Sequence, residues 1–243
     1  MSEAAASFRT DEPLIHLPRA DTHELDEVWN EIEKIGDSLP SVNVQISARA
    51  AFETPKRWPI QREMFILVEA LTETLLDREA GSISPALAAQ LGVLADVPMI
   101  PETMAMQIAF GRKMAEEQSR KMAGIVEKAQ KRGLSVDEYV AEPHAANAIP
   151  NDKMHIFHGD TRWAPSVHRL QHGAALLRRV AGMLPVDFRP SLLCVISWLM
   201  WASGRRPIAM AYLAEATRIR PEHLLASEMS ATFSDKSPAW LRD

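Results

Sequence analysis

The sequence predicts an all-α protein, a bundle of about nine or ten helices, and three observations carry that expectation. Apolar residues recur at three- and four-residue spacing in segment after segment. Prolines and glycines fall between those segments, where they start or stop helices. Strict alternation is confined to Val42, Val44 and Ile46, and one short strand cannot build a sheet alone.

Residues 1–20 read as a flexible N-terminal arm. Pro13 and Pro18 prevent a helix, and PLIHLP is suited to lie extended across another surface. Asp21 to Leu39 reads as an acidic amphipathic helix. Leu25, Val28, Trp29, Ile32 and Ile35 form its stripe, Asp21 or Thr22 caps it, and Gly36 ends it. Residues 40–58 read as a loop around the short alternating run. Trp58-Pro59 opens a helix to about Arg78 on Ile60, Met64, Leu67, Val68, Leu71 and Leu75, and Gly81-Ser82 breaks it.

Ser84 caps the next helix, with Pro85 in its first turn and Leu87, Leu91 and Leu94 on its face. After a turn at Val97 to Pro101, a long helix is predicted to Arg132 on Met104, Ile108, Ala115, Met122, Ile125 and Ala129. Gly111 and Gly124 are its points of interruption. Ser135 and Glu138 have capping-box spacing and start a short helix. Residues 142–164 show no period and read as a long loop. Pro165 begins a helix to about Leu184 on Leu170, Ala174, Leu177, Val180 and Ala181.

The run from Pro190 to Pro221 organises the rest. Ser191 reads as an N-cap, and Leu192, Leu193, Val195, Ile196, Leu199 and Met200 recur at helical spacing. Trp198 and Trp201 widen the apolar surface, so this helix is expected to be buried on most sides. Gly204 is the left-handed stop, and Pro207 opens a second helix on Ile208, Ala209, Tyr212, Leu213 and Ala216. Ala209 and Ala216, two turns apart, allow close approach of two helix axes. Ala209, Leu213, Ala216 and Pro221 have the spacing of the second helix of a tetratricopeptide repeat, which the pair resembles in a single copy. Glu222 to Thr232 follows as a capping helix, with Leu224, Leu225, Met229 and Phe233 turned inward.

A wider resemblance runs through LLRRVAGMLP, RPSLLCVISWLMWASGRRPIAMAYLAEATRIRPEHLLASEMSATF and the terminal PAW. This pattern is similar to the C-terminal part of an actinobacterial domain-of-unknown-function family (4192). Its features fall on Trp198, Trp201, Gly204, the stretch Ala209 to Ala216, Pro221 and Pro238-Ala239-Trp240. The resemblance covers residues 165–241 and, more faintly, 60–165; the usual opening of that family has no counterpart in residues 1–58. It implies a helical fold and brings no established activity.

The chain has 243 residues, 47% of them hydrophobic, enough for a sizeable core. No run approaches the ~20 apolar residues of a membrane helix, so no membrane partner is expected. MSEAAASFRTDE lacks the basic start and apolar stretch of a signal peptide, and the one cysteine, Cys194, has no internal partner. The expected location is cytoplasmic. The net charge of −5 is uneven. Residues 1–150 hold 15 Lys+Arg against 24 Asp+Glu, or −9; residues 151–243 hold 12 against 8, or +4. The chain thus divides into an arm (1–20), an acidic helical region (21–150) and a tetratricopeptide-like region (151–243), the last two forming one continuous domain. The charge split implies that the halves face each other or that these are solvated helix faces or, as an alternative, that the basic half meets an anionic partner.

Three function classes follow. The favoured one is a non-enzymatic helical adaptor that binds another protein or itself. By the tetratricopeptide resemblance, Cys194, Trp198 and Trp201 would face its groove, with Arg205 at the edge; the competing reading makes both tryptophans core. The alternative is a nucleic-acid-associated protein using Arg178, Arg179, Arg205 and Arg206. The third is a metal-dependent enzyme at His168 and His172, four apart on one helical face, with His155, His158 or Asp160 as a further ligand. No zinc-hydrolase Glu follows His168. There is no Gly-rich phosphate loop and no Gly-x-Ser-x-Gly elbow, and no cofactor is implied. Met104, Met106, Met114 and Met122 read as core filler.

Overall fold

The structure, a computed structural model, describes residues 15–38, 62–134, 139 and 152–242. The described residues form ten α-helices and no strand. In chain order these are α1 (Thr22–Ser38), α2 (Arg62–Leu76), α3 (Pro85–Ala95), α4 (Ile100–Phe110), α5 (Arg112–Lys131) and α6 (Asp152–Phe157). There follow α7 (Val167–Met183), α8 (Pro190–Ala202), α9 (Arg206–Ile219) and α10 (Leu224–Asp235). The all-α expectation is met. The alternating run at 42–46 and the predicted start at Ser135 lie outside the described residues.

α8 sits at the centre because it is apolar all round and has no face to offer water. All thirteen of its residues are buried. α9 packs along it most extensively, and α4, α7 and α10 cover its other sides. The hairpin turn is made as the sequence predicts, with Gly204 at φ 82°. Ala209 and Ala216 are fully buried, and Ser197 Oγ donates to the Ala209 carbonyl at 2.8 Å across the pair. One apolar cluster joins helices from both halves of the chain, from Val28 on α1 to Phe233 on α10.

Several elements differ from expectation. The long helix is interrupted at Gly111, as expected, with φ 95°, a conformation that favours glycine, but not at Gly124, through which α5 continues. The long loop contains a helix, α6, because Ile156 and Phe157 reach the core. Ser191 does not cap α8, which begins a residue earlier after Arg189, and the Ser191 hydroxyl is used elsewhere. Leu224 is 78% exposed rather than turned inward, since it opens α10 on the side away from Met229 and Phe233.

Other local signals are confirmed. Asp21 and Glu24 form a reciprocal capping box at α1, with backbone N–H to carboxylate distances of 3.1 and 2.8 Å. The Ser84 side chain caps α3. Residues 16–20 lie without helix against α7. There the Arg178 guanidinium donates to the His16 carbonyl at 2.7 Å, and Leu17 packs on the core.

Candidate functional site

The tryptophans belong to the core. Trp198 is 0% and Trp201 1% exposed. Trp198 stacks on Phe157 with ring centroids 5.6 Å apart and donates its indole N–H to the Phe157 carbonyl at 2.8 Å. Trp201 stacks on Phe233 at 4.3 Å and donates to the Lys236 carbonyl. Trp240 closes the group, donating to the Ala202 carbonyl at 2.9 Å. The groove expectation for Trp198, Trp201 and Cys194 is therefore corrected: α6, α10 and the turn at Ala239–Leu241 cover the face that would have been open. Large rings that bury this much apolar area stabilise the fold more inside than at a surface.

Three of the four arginine side chains are also engaged. Arg178 donates to Tyr212 Oη at 2.9 Å as well as to His16. Arg179 pairs with Glu24. Arg206 donates to the Ser234 carbonyl. Arg205 is partly buried at the start of α9, where its carbonyl accepts from Ala209. Each of Arg178 and Arg179 is thus spent on internal contacts rather than displayed as a cationic stripe.

His168 and His172 do share a face, stacked with centroids 6.0 Å apart. His172 Nε2 lies 2.9 Å from the Leu76 carbonyl, which only an N–H can satisfy, so that nitrogen is committed. Among the described residues no three His, Cys, Asp or Glu side chains gather closely enough to hold a metal. His158 lies apart from that pair, beside α10. His155 and Asp160 face each other at 4.0 Å, and Lys236 pairs with Asp160 at 2.6 Å.

Two polar constellations emerge that the sequence did not single out. The first links the ends of α3, α8, α9 and α10. Arg220 donates to both oxygens of Asp96, at 3.2 and 2.9 Å, and to the Asp187 carbonyl at 3.0 Å. Ser191 Oγ donates to Asp96 Oδ1 at 2.6 Å. His223 caps α10, because its Nδ1 accepts the Ala226 N–H at 3.3 Å. Its Nε2 therefore carries the proton and donates to Ser191 Oγ at 3.0 Å. A serine whose proton goes to a carboxylate, facing a histidine that already holds a proton, is not an activated nucleophile. Burial, and then the Arg220 charge, hold the His223 imidazole below its ordinary range. Cys194 Sγ lies 3.9 Å from Nδ1, and burial, with Glu102 and Asp96 adding to it, raises the thiol far above its ordinary range. It is inert.

The second constellation is a crevice between α4, α6 and α10. It is lined by Glu102, Phe157, His158, Leu225, Glu228, Met229, Thr232 and Phe233, with a free volume of about 30 Å³. Met99, in the left-handed region at φ 72°, turns the chain into α4 and places Glu102 in its first turn. Part of Glu102 reaches the surface, but its Oε2 is enclosed and has no hydrogen-bond partner. Burial pushes this carboxyl up to about 7 against the pull of its own backbone N–H, and Glu228 pushes the same way. Burial, and then Lys236, hold His158 below the usual imidazole range. A signal for Glu102 was present in the sequence: it is the lone ionisable residue in IPETMAMQIAF.

No family model matches this chain, and no curated protein or solved structure does so either.

Proposed function

We propose that the chain is a non-enzymatic helical adaptor and that the outer face of α10 receives its protein partner. The observation that supports this is the pairing, on one short helix, of an exposed Leu224 with a crevice that holds little more than a water-sized group. Leu224 and Glu228 are four apart and share a face; Leu225, Glu228, Met229 and Thr232 form the crevice wall. Small-molecule substrates need pockets of roughly 300 Å³ or more, whereas an apolar anchor beside a small slot suits side-chain-by-side-chain recognition. Ser191, His223 and Cys194 are occupied in structural contacts, which weighs against nucleophilic catalysis by this group. Kinship with the actinobacterial domain-of-unknown-function family, the tetratricopeptide-like nature of the α8–α9 pair and a cytoplasmic place of action belong to the same proposal.

The test is capture from native lysate with and without nuclease, comparing the wild type with Leu224→Asp, alongside sedimentation of the purified chain. The expected result is a specific protein, or a second copy of the chain, retained after nuclease and lost with the variant. Nuclease-sensitive capture, or capture indifferent to Leu224→Asp, overturns the reading.

A further inference from the structure

We propose that the crevice between α4, α6 and α10 takes the ammonium end of a lysine side chain presented by the partner. The inference rests on the reading of α10 as a partner-binding face and adds the chemistry of what enters it. Buried polar atoms almost always have hydrogen-bond partners, yet Glu102 Oε2 is enclosed at the crevice with none. In the ionised form, above about pH 7, what it lacks is a donor. The lining supplies a second carboxylate, Glu228, exposed on α10, and contains no lysine or arginine. The nearby Lys236 is committed to Asp160 at 2.6 Å.

The remaining walls are Phe157, Leu225, Met229 and Phe233, which suit the methylene stem of a lysine. A free volume of about 30 Å³ has room for an ammonium head, which is close to water in size. A metal ion is the poorer occupant, because the described residues gather no three ligating side chains.

Occupancy should depend on pH. The groups that bear on Glu102 are Glu228 from α10, His158 after α6 with Asp160 and Lys236 behind it, and Cys194 on α8 with Asp96 and Arg220 beyond. Of these, Glu228 opposes ionisation of Glu102. An ammonium between the two carboxylates relieves that opposition and favours the ionised form.

The experiment is a titration of the full chain with n-butylammonium chloride, read by the methyl resonances of Met229 and Leu225, with 1-butanol as the neutral control. At about pH 8 a saturable shift with the ammonium and none with the alcohol is expected, weakened roughly tenfold or more at about pH 5.5 as Glu102 takes up its proton. Glu102→Gln should weaken binding to a similar degree, and Glu228→Gln, at an exposed position that does not threaten folding, several-fold. An equal response to 1-butanol, no saturable response, or binding unchanged in both variants overturns the proposal. Leu224→Asp, which adds a carboxylate one turn from Glu228, should not weaken the ammonium response. Loss of partner capture alone therefore bears on the adaptor reading, and loss of the ammonium response alone bears on this one.

Discussion

Glu102 makes a prediction about stability that is independent of any ligand. Its carboxyl has an ordinary value of 4.5 when unfolded and about 7 when folded. Between those values the folded chain keeps a proton that the unfolded chain has lost. The stabilisation is therefore complete below about pH 4.5 and is lost as pH rises through about 7, for a total of about 3 kcal/mol. Urea unfolding across this range should show the decline in the wild type, and Glu102→Gln should remove it; parallel profiles would count against an enclosed carboxyl. His223 and His158 act in the opposite sense. Their folded values are depressed, so stability is full above the ordinary 6.5 and falls as pH drops below it. In Glu102→Gln the remaining slope below about 6.5 should consequently be positive. Asp96 offers a second test. Asp96→Asn leaves the partly buried Arg220 without its counter-charge and should cost about 2–4 kcal/mol, against about 1 kcal/mol for Ser191→Ala, as read by denaturant midpoints.

Helices in this protein are placed by close contacts that their own sequences barely announce. Gly182 near the end of α7 is such a contact, since a β-carbon there would run into the Pro18 carbonyl of the extended N-terminal segment. In an isolated helix Gly→Ala would gain about 1 kcal/mol. Here Gly182→Ala should instead lower stability by about 1–3 kcal/mol, because the Pro18 backbone must move. A stabilised variant in thermal unfolding would show that residues 15–20 do not hold against α7. The docking of α10 depends on Trp201, whose ring lies on Phe233 and whose N–H reaches Lys236. Trp201→Ala should cost about 3–5 kcal/mol. Trp201→Phe should cost less, keeping most of the apolar area and losing only the hydrogen bond.

The opposite charges of the two halves meet inside one molecule. Glu24 pairs with Arg179, Glu73 with Arg169 and Asp96 with Arg220, so each of these pairs sets an acid from before residue 151 against an arginine after it. The apolar cluster crosses the same division. Shared core and cross-pairing imply that the two halves lose structure together. Tryptophan fluorescence, to which six residues from Trp29 to Trp240 in both halves contribute, should then follow the same denaturant transition as far-ultraviolet dichroism. Two separated transitions would mean that the halves are independent and that the pairs merely decorate a boundary.

The helices were legible because their causes are local. Periodic apolar faces, the Asp21 and Ser84 caps, and Gly204 each act within a few residues, and each is used as the sequence indicates; the reciprocal contact from Glu24 emerged only in the structure. The all-round apolarity of α8 also announced its burial, and the charge asymmetry announced that the halves could face each other. What the sequence did not reveal depends on contacts between distant residues. Whether Trp198 and Trp201 line a groove or fill the core was decided by α6 and α10 covering them, and nothing in the α8 sequence encodes that cover. Ser191 has the credentials of a cap, but its hydroxyl was claimed by Asp96, 95 residues away. Glu102 was not singled out from the sequence; its enclosed oxygen and shifted titration arise because α6 and α10 close over the first turn of α4. Short-range preferences determined which segments are helices. Long-range packing decided which polar atoms lost water, and that desolvation creates the acidic crevice on which the functional proposals rest.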